Sequence, residues 1–206
     1  ESPEGPVSFT DLTDLIKDIF EPDGHLTKIM EMEHRPQQAD MAFAVVQKMQ
    51  ENSPLLFEAG TGVGKSLAYL IPGILQAVEN RRPLIVSSHT ISLQEQVLNK
   101  DIPLCEEFFN KIPPLERFKE FKTALLVGKG NYLFPNRLAA SVRAKTELFP
   151  SEEQAELQRI IDWARETETG MRQELNPAPG HEIWSQVNAD SSTCSRKNCN
   201  PDHCYY

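Results

Sequence analysis

A glycine-rich turn between an apolar run and a helical pattern constrains this chain more than any other feature. The turn lies in the segment 55–66, with the sequence LLFEAGTGVGKS, and the apolar segment 67–71 follows it. A strand, a loop and a helix in that order form the setting in which a phosphate-binding loop works. The sequence therefore predicts a nucleotide-binding loop, and the alternative is a glycine-rich turn that binds nothing.

The residue types of this loop suit a nucleoside triphosphate. Glycines let the backbone turn tightly and direct its N–H groups at phosphate oxygens, and the helix that follows adds the positive end of its dipole. A lysine at position 65 can reach the β- and γ-phosphates, and the next hydroxyl can bind Mg²⁺. Alanine stands where such loops usually begin with glycine. The predicted nucleotide-binding residues of the loop are Ala59, Gly60, Thr61, Gly62, Val63, Gly64, Lys65 and Ser66, and the last two are the predicted catalytic residues.

Apolar runs alternate with helical patterns along most of the chain. Short apolar runs predict strands at 55–58, 84–87 and 124–127, and apolar residues at helical spacing predict helices at 9–19, 37–50, 65–79 and 90–99. Strands separated by helices are typical of an α/β fold with a parallel, doubly wound sheet. After Pro150 a polar, acidic helix over 151–169 and a tail rich in Pro, Asn and Cys predict an inserted helical subdomain.

Charge and cysteine usage narrow the classes of function. The formal net charge of −9 argues against a generally basic nucleic-acid coat, although a local basic groove is compatible with it. No apolar run approaches the roughly 20 residues of a membrane helix, so we expect a cytoplasmic protein without a membrane partner. Three of the four cysteines, Cys194, Cys199 and Cys204, are regularly spaced near the end of the chain. That spacing predicts a metal site rather than a disulfide framework.

Three polar fragments predict contacts to adenine and to DNA. Arg35 and Gln38 precede the loop, and a glutamine amide can pair with an adenine edge; the alternative is a solvated helix start. Hydroxyl and amide groups after the second predicted strand suit a nucleic-acid backbone, and there the alternative is simple helix capping. The third fragment, 128–133, follows the third predicted strand, and its alternative is an ordinary surface turn. The predicted DNA-binding residues are Thr90, Gln94, Lys129, Asn131 and Tyr132.

Together these fragments resemble the DinG-type, XPD-like DNA helicases of superfamily 2. The resemblance rests on a Q-motif-like segment at 35–42, a motif I at 58–66, a motif Ia at 86–96, the segment 128–133 and the terminal cysteines. It implies a RecA-like P-loop NTPase sheet, ATP and Mg²⁺, a [4Fe–4S] cluster, and single-stranded or forked DNA as partner. It also implies ATP-driven 5′-to-3′ unwinding in repair or replication. The expected domains are an N-terminal extension (1–30), part of the first motor domain (31–133) and an iron–sulfur-like insertion (134–206).

The chain departs from this family at the first cluster ligand. The family's first cysteine follows the sequence Asn-Tyr-Leu, and here that position is Phe134, which cannot bind iron. Three thiolates remain, while such clusters normally take four. An iron–sulfur centre on Cys194, Cys199 and Cys204 is our prediction. A zinc Cys₃His site with His203 and a site without metal remain open.

A second departure is the absence of an Asp-Glu pair anywhere in the 206 residues. Hydrolysis needs an acidic residue to hold Mg²⁺ and another group to orient water. We therefore expect the N-terminal portion of a larger enzyme, a portion that does not hydrolyse ATP alone. The alternatives are a non-catalytic nucleotide- or DNA-binding module, a DinG-related nuclease and a P-loop kinase. Oligomeric state is open, with a monomer favoured.

Overall fold

The computed structural model describes residues 9–148, 151–195 and 203–206, and it divides into two compact units. Unit 1 spans positions 1–125 and unit 2 spans positions 126–206. The domain bounds expected from the sequence, 1–30, 31–133 and 134–206, stay a prediction. Within the described chain, no helix has both the length and the apolar character needed to cross a bilayer. The cytoplasmic location also stays a prediction.

The described part of unit 1 is built from helices joined by segments without regular secondary structure. The helices are α1 (Phe9–Phe20), α2 (His25–Met30), α3 (Pro36–Gln50), α4 (Lys65–Asn80), α5 (Ile91–Gln96), a π-helical turn (Val97–Asp101), α6 (Ile102–Lys111) and a 3₁₀ turn (Pro113–Phe118). The predicted helices at 9–19, 37–50 and 65–79 are confirmed to within a residue or two at their ends. Pro36 occupies the first turn of α3, where its missing N–H costs nothing.

The core of unit 1 forms where α3 packs against α1 on one side and α4 on the other. Apolar residues at helical spacing supply it: Ile16 of α1, Ala42 of α3 and Ile71 of α4 are completely buried. Phe108 and Phe109 of α6 close the same cluster. Removing a side chain of this kind from water contributes roughly 1.5–3 kcal/mol, so helix packing supports the loop that precedes α4.

The predicted α/β fold is wrong: across the described residues the structure is helical and contains no strand. The segments 55–58, 84–87 and 124–127 form neither helix nor strand, and no backbone hydrogen bonds pair them with one another. Leu56, Ile85 and Leu126 are 100%, 86% and 68% exposed. An apolar run favours extended backbone locally, whereas a strand also requires a hydrogen-bonded neighbour. Periodicity could not reveal that this neighbour is missing, and the described residues do not form the parallel, doubly wound RecA-like sheet.

The described residues of unit 2 form three α-helices and the loops that join them. The helices are α7 (Pro135–Leu148), α8 (Ser151–Trp163) and α9 (His181–Val187), with 3₁₀ turns at Lys129–Asn131 and Arg172–Glu174. The polar helix predicted over 151–169 is confirmed, although it ends six residues earlier. Leu157, Ile160 and Val187 are completely buried between these elements.

Arg137 joins α7 to the chain that follows α9. Its Nη1 atom donates to both the backbone and side-chain oxygens of Asn188 and to Asp190, at 2.7–3.0 Å, and Nη2 donates to the Ser185 carbonyl at 2.6 Å. A planar guanidinium can satisfy several acceptors at once because its donors point in fixed directions. Asp190 in turn accepts from the backbone N–H groups of Ser192 and Thr193. The network therefore orders the segment that leads to Cys194.

Candidate nucleotide-binding site

The predicted phosphate-binding loop passes directly into the first turn of α4. Gly62 and Gly64 have φ values of 80° and 82°, in the left-handed region that glycine adopts without strain. Gly64 is the residue immediately before α4, which then runs for 16 residues. The first N–H groups of a helix have no partner within it. The loop thus ends at backbone donors and the positive end of a helix dipole, a combination that favours a bound anion.

Two side chains at the start of α3 hold the backbone of this loop. Nη1 of Arg35 donates to the Gly62 carbonyl at 2.7 Å, and Nε2 of Gln38 donates to the Gly64 carbonyl at 2.8 Å. Gln38 is 94% buried in spite of its polar amide. A Cβ atom at position 64 would lie 2.3 Å from Nε2 of Gln38, so the approach itself requires glycine.

Lys65 is folded over the loop that precedes it. Its Nζ atom donates to the carbonyls of Ala59 at 3.1 Å and Gly60 at 2.8 Å. Within the same loop Thr61 is exposed and Val63 is half-buried. The cation therefore sits over the glycine-rich turn, where a bound polyphosphate would compete with carbonyl oxygens for its protons.

Ser66 contacts Tyr69 one turn further along α4. The two side chains share a hydrogen bond, and burial raises the pKa of Tyr69 while that bond opposes the rise. The nearby charge of Asp101 raises the same pKa further. Asp101 is itself 92% buried at the end of the π-helical turn. The Ser66 hydroxyl is thus already oriented by a neighbour.

The predicted DNA-binding residues of unit 1 lie at the start of α5. The Thr90 side chain accepts a hydrogen bond from the N–H of Leu93 at 3.3 Å and so caps α5, as the alternative interpretation of this fragment predicts. Gln94 is half-buried, and its Oε1 atom is buried with no hydrogen-bond partner. Whether either residue also contacts DNA stays a prediction.

The predicted DNA-binding residues of unit 2 surround the 3₁₀ turn at Lys129–Asn131. Asn131 donates to the Gly128 carbonyl at 3.0 Å, and the Tyr132 hydroxyl accepts from the N–H of Val127 at 3.3 Å. Tyr132 is buried, and its ring meets that of Tyr206 edge-on with centroids 5.5 Å apart. The ammonium of Lys129 lies 5.4 Å from the centroid of the half-exposed Tyr206 ring.

The predicted metal ligands lie partly in the described chain. Cys194 and Cys204 are partly exposed free thiols, and with His203 and the buried Phe134 they line a cavity of about 30 Å³. Cys199 lies outside the described residues. Among the residues that are described, no three His, Cys, Asp or Glu side chains form a group able to hold a metal ion. The cavity does bring Phe134, the residue at the expected first ligand position, beside two of the three thiols.

No family model matches the chain, but individual relatives do. It is 38% identical over 170 residues, 76% of its length, to the ATP-dependent helicase DinG of Mycobacterium tuberculosis. It is 35% identical over 164 residues, 73% of its length, to the ATP-dependent DNA helicase DinG of Salmonella typhimurium. The chain is related to the DinG-type helicases. It is also 33% identical over 198 residues, 95% of its length, to the ATP-dependent DNA helicase YoaA of Haemophilus influenzae.

This DinG-type chain spans only part of the length of those relatives. The matched regions amount to 25%, 22% and 29% of the three proteins. The resemblance recognised from the sequence motifs is therefore confirmed as a relationship to a portion of these proteins.

Sequence reasoning missed three residues in the surroundings of the predicted ones: Tyr69 beside Ser66, Asp101 near Tyr69, and Tyr206 beside Lys129. Tyr69 follows Ser66 by one helical turn, a spacing that the sequence displays. Asp101 comes near Tyr69 only because the π-helical turn packs against α4, and no local sequence pattern predicts that packing. Tyr206, beneath Lys129, offers the more exposed of the two rings near that lysine.

Proposed function

We propose that this chain is the ATP-binding portion of an ATP-dependent DNA helicase of the DinG type. The complete protein would couple ATP hydrolysis to 5′-to-3′ unwinding of DNA in repair or replication. The observation that carries the proposal is the loop of unit 1, where Gln38 and Arg35 hold the backbone that leads into Lys65. The names of the relatives support ATP-dependent helicase activity.

In this proposal each loop residue has a separate task. Backbone N–H groups of 60–65 bind phosphate oxygens, and Lys65 exchanges its contacts with loop carbonyls for the β- and γ-phosphates. Arg35 and Gln38 lie at the edge of the loop, where we place the adenine. The bond to Gly64 uses one N–H of the Gln38 amide. Its second N–H and its carbonyl oxygen remain available, and these are the donor and acceptor that can pair with an adenine edge.

The Ser66 hydroxyl fits the role of a magnesium ligand. Its hydrogen bond with Tyr69 uses one bonding direction of the hydroxyl, and a hydroxyl oxygen carries two lone pairs. Mg²⁺ bound with the nucleotide would neutralise charge that develops on the phosphates. The chain contributes the loop, the cation of Lys65 and the direction of the Ser66 hydroxyl.

We further propose that single-stranded or forked DNA contacts Thr90, Gln94, Lys129, Asn131 and Tyr132. The partly exposed Lys129 ammonium, which lies 5.4 Å from the centroid of the Tyr206 ring, supports this assignment. Such contacts go mainly to the phosphate backbone and carry no sequence code. We favour a monomer.

An iron–sulfur centre in unit 2 is also a proposal. The donors of this chain do not fit a four-thiolate cluster, because Phe134 offers no ligand where the family has cysteine. The cavity shared by Cys194 and Cys204 supports a centre with three thiolates, Cys199 being the third. No step of the proposed reaction passes through this centre.

The proposed function is tested by Lys65→Ala in the full-length protein. Removing the cation beside the phosphates is expected to abolish DNA-stimulated ATP hydrolysis. Lys111→Ala is the matched control, since Lys111 is an exposed lysine of α6 that pairs with Glu107 at 2.6 Å. An active Lys65→Ala enzyme would contradict the assignment. A wild-type protein that binds ATP without ever hydrolysing it would favour the non-catalytic module.

A further inference from the structure

A buried carboxylate lies in the π-helical turn that packs against α4, the helix that carries Ser66, and the proposed nucleotide site does not use it. Asp101 ends the π-helical turn Val97–Asp101 and is 92% buried. Its Oδ2 atom has no hydrogen-bond partner. A buried polar atom without a partner costs about 1–3 kcal/mol, and more when the group is charged. Such an atom calls for an explanation in its surroundings.

The π-helical turn packs against α4, the helix that carries Ser66 and Tyr69. Tyr69 lies half-buried on that helix, and its side chain is hydrogen-bonded to that of Ser66. Burial, opposed by the Ser66 bond, raises the pKa of Tyr69, and the charge of Asp101 adds to the rise, so the carboxylate lies within electrostatic reach of the phenol. Turns of π-helix inside longer helices are frequent at functional sites.

We propose that Tyr69 and Asp101 are positioning residues that fix the direction of the Ser66 hydroxyl in the magnesium–nucleotide complex. The inference rests on the proposed nucleotide site and adds two residues to it. Ser66 would donate its proton to the Tyr69 oxygen, and Tyr69 would donate its own proton to the free Oδ2 atom of Asp101.

The order of donors follows from the chemistry of the three groups. A carboxylate can only accept, so it ends the chain of hydrogen bonds. A phenol that donates to a charged acceptor forms a stronger bond than one between neutral partners. Because the Ser66 hydroxyl donates its proton to Tyr69, the lone pairs of its oxygen remain available to bind Mg²⁺. Groups that orient a metal ligand commonly change metal affinity or activity by about 10- to 100-fold when they are removed.

The experiment measures binding of a fluorescent ATP analogue to the full-length protein over a Mg²⁺ series and in EDTA. Tyr69→Phe removes the hydroxyl and keeps the ring, and Asp101→Asn removes the charge at nearly constant volume. Both variants are expected to need about 10-fold more Mg²⁺ for half-maximal binding, with binding in EDTA unchanged. The double variant is expected to resemble Tyr69→Phe alone, because Asp101 acts through Tyr69.

Tyr205→Phe, which removes a hydroxyl in unit 2, and Asp14→Asn, which removes an exposed charge of α1, are the matched controls and should retain the wild-type Mg²⁺ dependence. Wild-type Mg²⁺ dependence in Tyr69→Phe overturns the inference even if Asp101→Asn does not fold. An equal loss of binding with and without Mg²⁺ also overturns it, since that result indicates only a structural role. If the wild type itself bound no nucleotide, the proposed function would fail instead.

Discussion

Nε2 of Gln38 donates a hydrogen bond to the carbonyl of Gly64 at 2.8 Å, across 26 positions of sequence. This bond joins the first turn of α3 to the residue that immediately precedes α4. Because Gln38 is almost fully buried, the bond forms in a region of low dielectric, where it is stronger than in water. The phosphate-binding loop is therefore held by tertiary contact as well as by its glycines.

The first prediction concerns the two reasons for glycine at position 64. In Gly64→Ala the new Cβ would meet Nε2 of Gln38 at 2.3 Å, and the residue would still need a φ of 82°. We expect the free energy of unfolding, measured in denaturant without nucleotide, to fall by about 1–3 kcal/mol. Gly60→Ala is the control for stability, because nothing lies within 4 Å of its Cβ position. Equal stability of the two variants would contradict the prediction.

The second prediction separates the two tasks of Gln38. Gln38→Ala removes the bond to Gly64 and should weaken ATP and GTP alike by loosening the loop. If the amide also contacts adenine, the loss for ATP exceeds the loss for GTP by about 1 kcal/mol, the usual worth of a hydrogen bond. Competition binding with the two nucleotides measures both losses. Equal losses of affinity for ATP and GTP would contradict the adenine contact and show that Gln38 acts only through its bond to the loop.

The third prediction concerns the basic group beside Tyr206. Lys129→Ala is expected to weaken single-strand binding by the full-length protein equally across sequences. The salt dependence should become shallower by about 0.7 in log–log slope, the value for one phosphate contact. Arg165→Ala is the control, since Arg165 is an exposed cation of unit 2 paired with Asp162. An unchanged slope would remove Lys129 from the DNA path.

The elements that depend on local chemistry were predictable, and those that depend on long-range partners were not. Helix α3 begins at Pro36 and Thr90 caps α5 because proline geometry and a hydroxyl cap act within one turn. The predicted sheet was wrong because a strand needs a hydrogen-bonded neighbour, and the pattern of an apolar run does not show whether that neighbour is present. The loop was recognised from its motif, yet its contact with Gln38 and the approach of Asp101 to Tyr69 exist only through packing.

The fourth prediction concerns the metal. Protein purified without oxygen is expected to be brown, with iron and sulfide in nearly equal amounts, if Cys194, Cys199 and Cys204 hold a centre. Phe134→Cys should raise the iron retained, because it adds a thiol at the cavity that Cys194 and Cys204 already line. Phe134→Leu removes the ring without adding a thiol and serves as the control. Colourless protein with one zinc per chain, or metal-free protein with full activity, would contradict the iron–sulfur prediction.

The fifth prediction follows from the buried thiol of Cys105. Burial, aided by the charges of Asp101 and Glu106, raises the pKa of Cys105 from 9.0 to about 12. Above pH 9 the unfolded chain therefore loses this proton while the folded chain keeps it, so folding stability falls as pH rises to about 12. Cys105→Ala lacks the titrating group and loses packing at all pH values.

We expect the stability advantage of the wild type over Cys105→Ala to be constant below pH 9. It should then shrink by up to about 1.4 kcal/mol per pH unit, measured by denaturant unfolding. Parallel stability profiles of the two proteins from pH 7 to 11 would show that the thiol does not titrate as proposed.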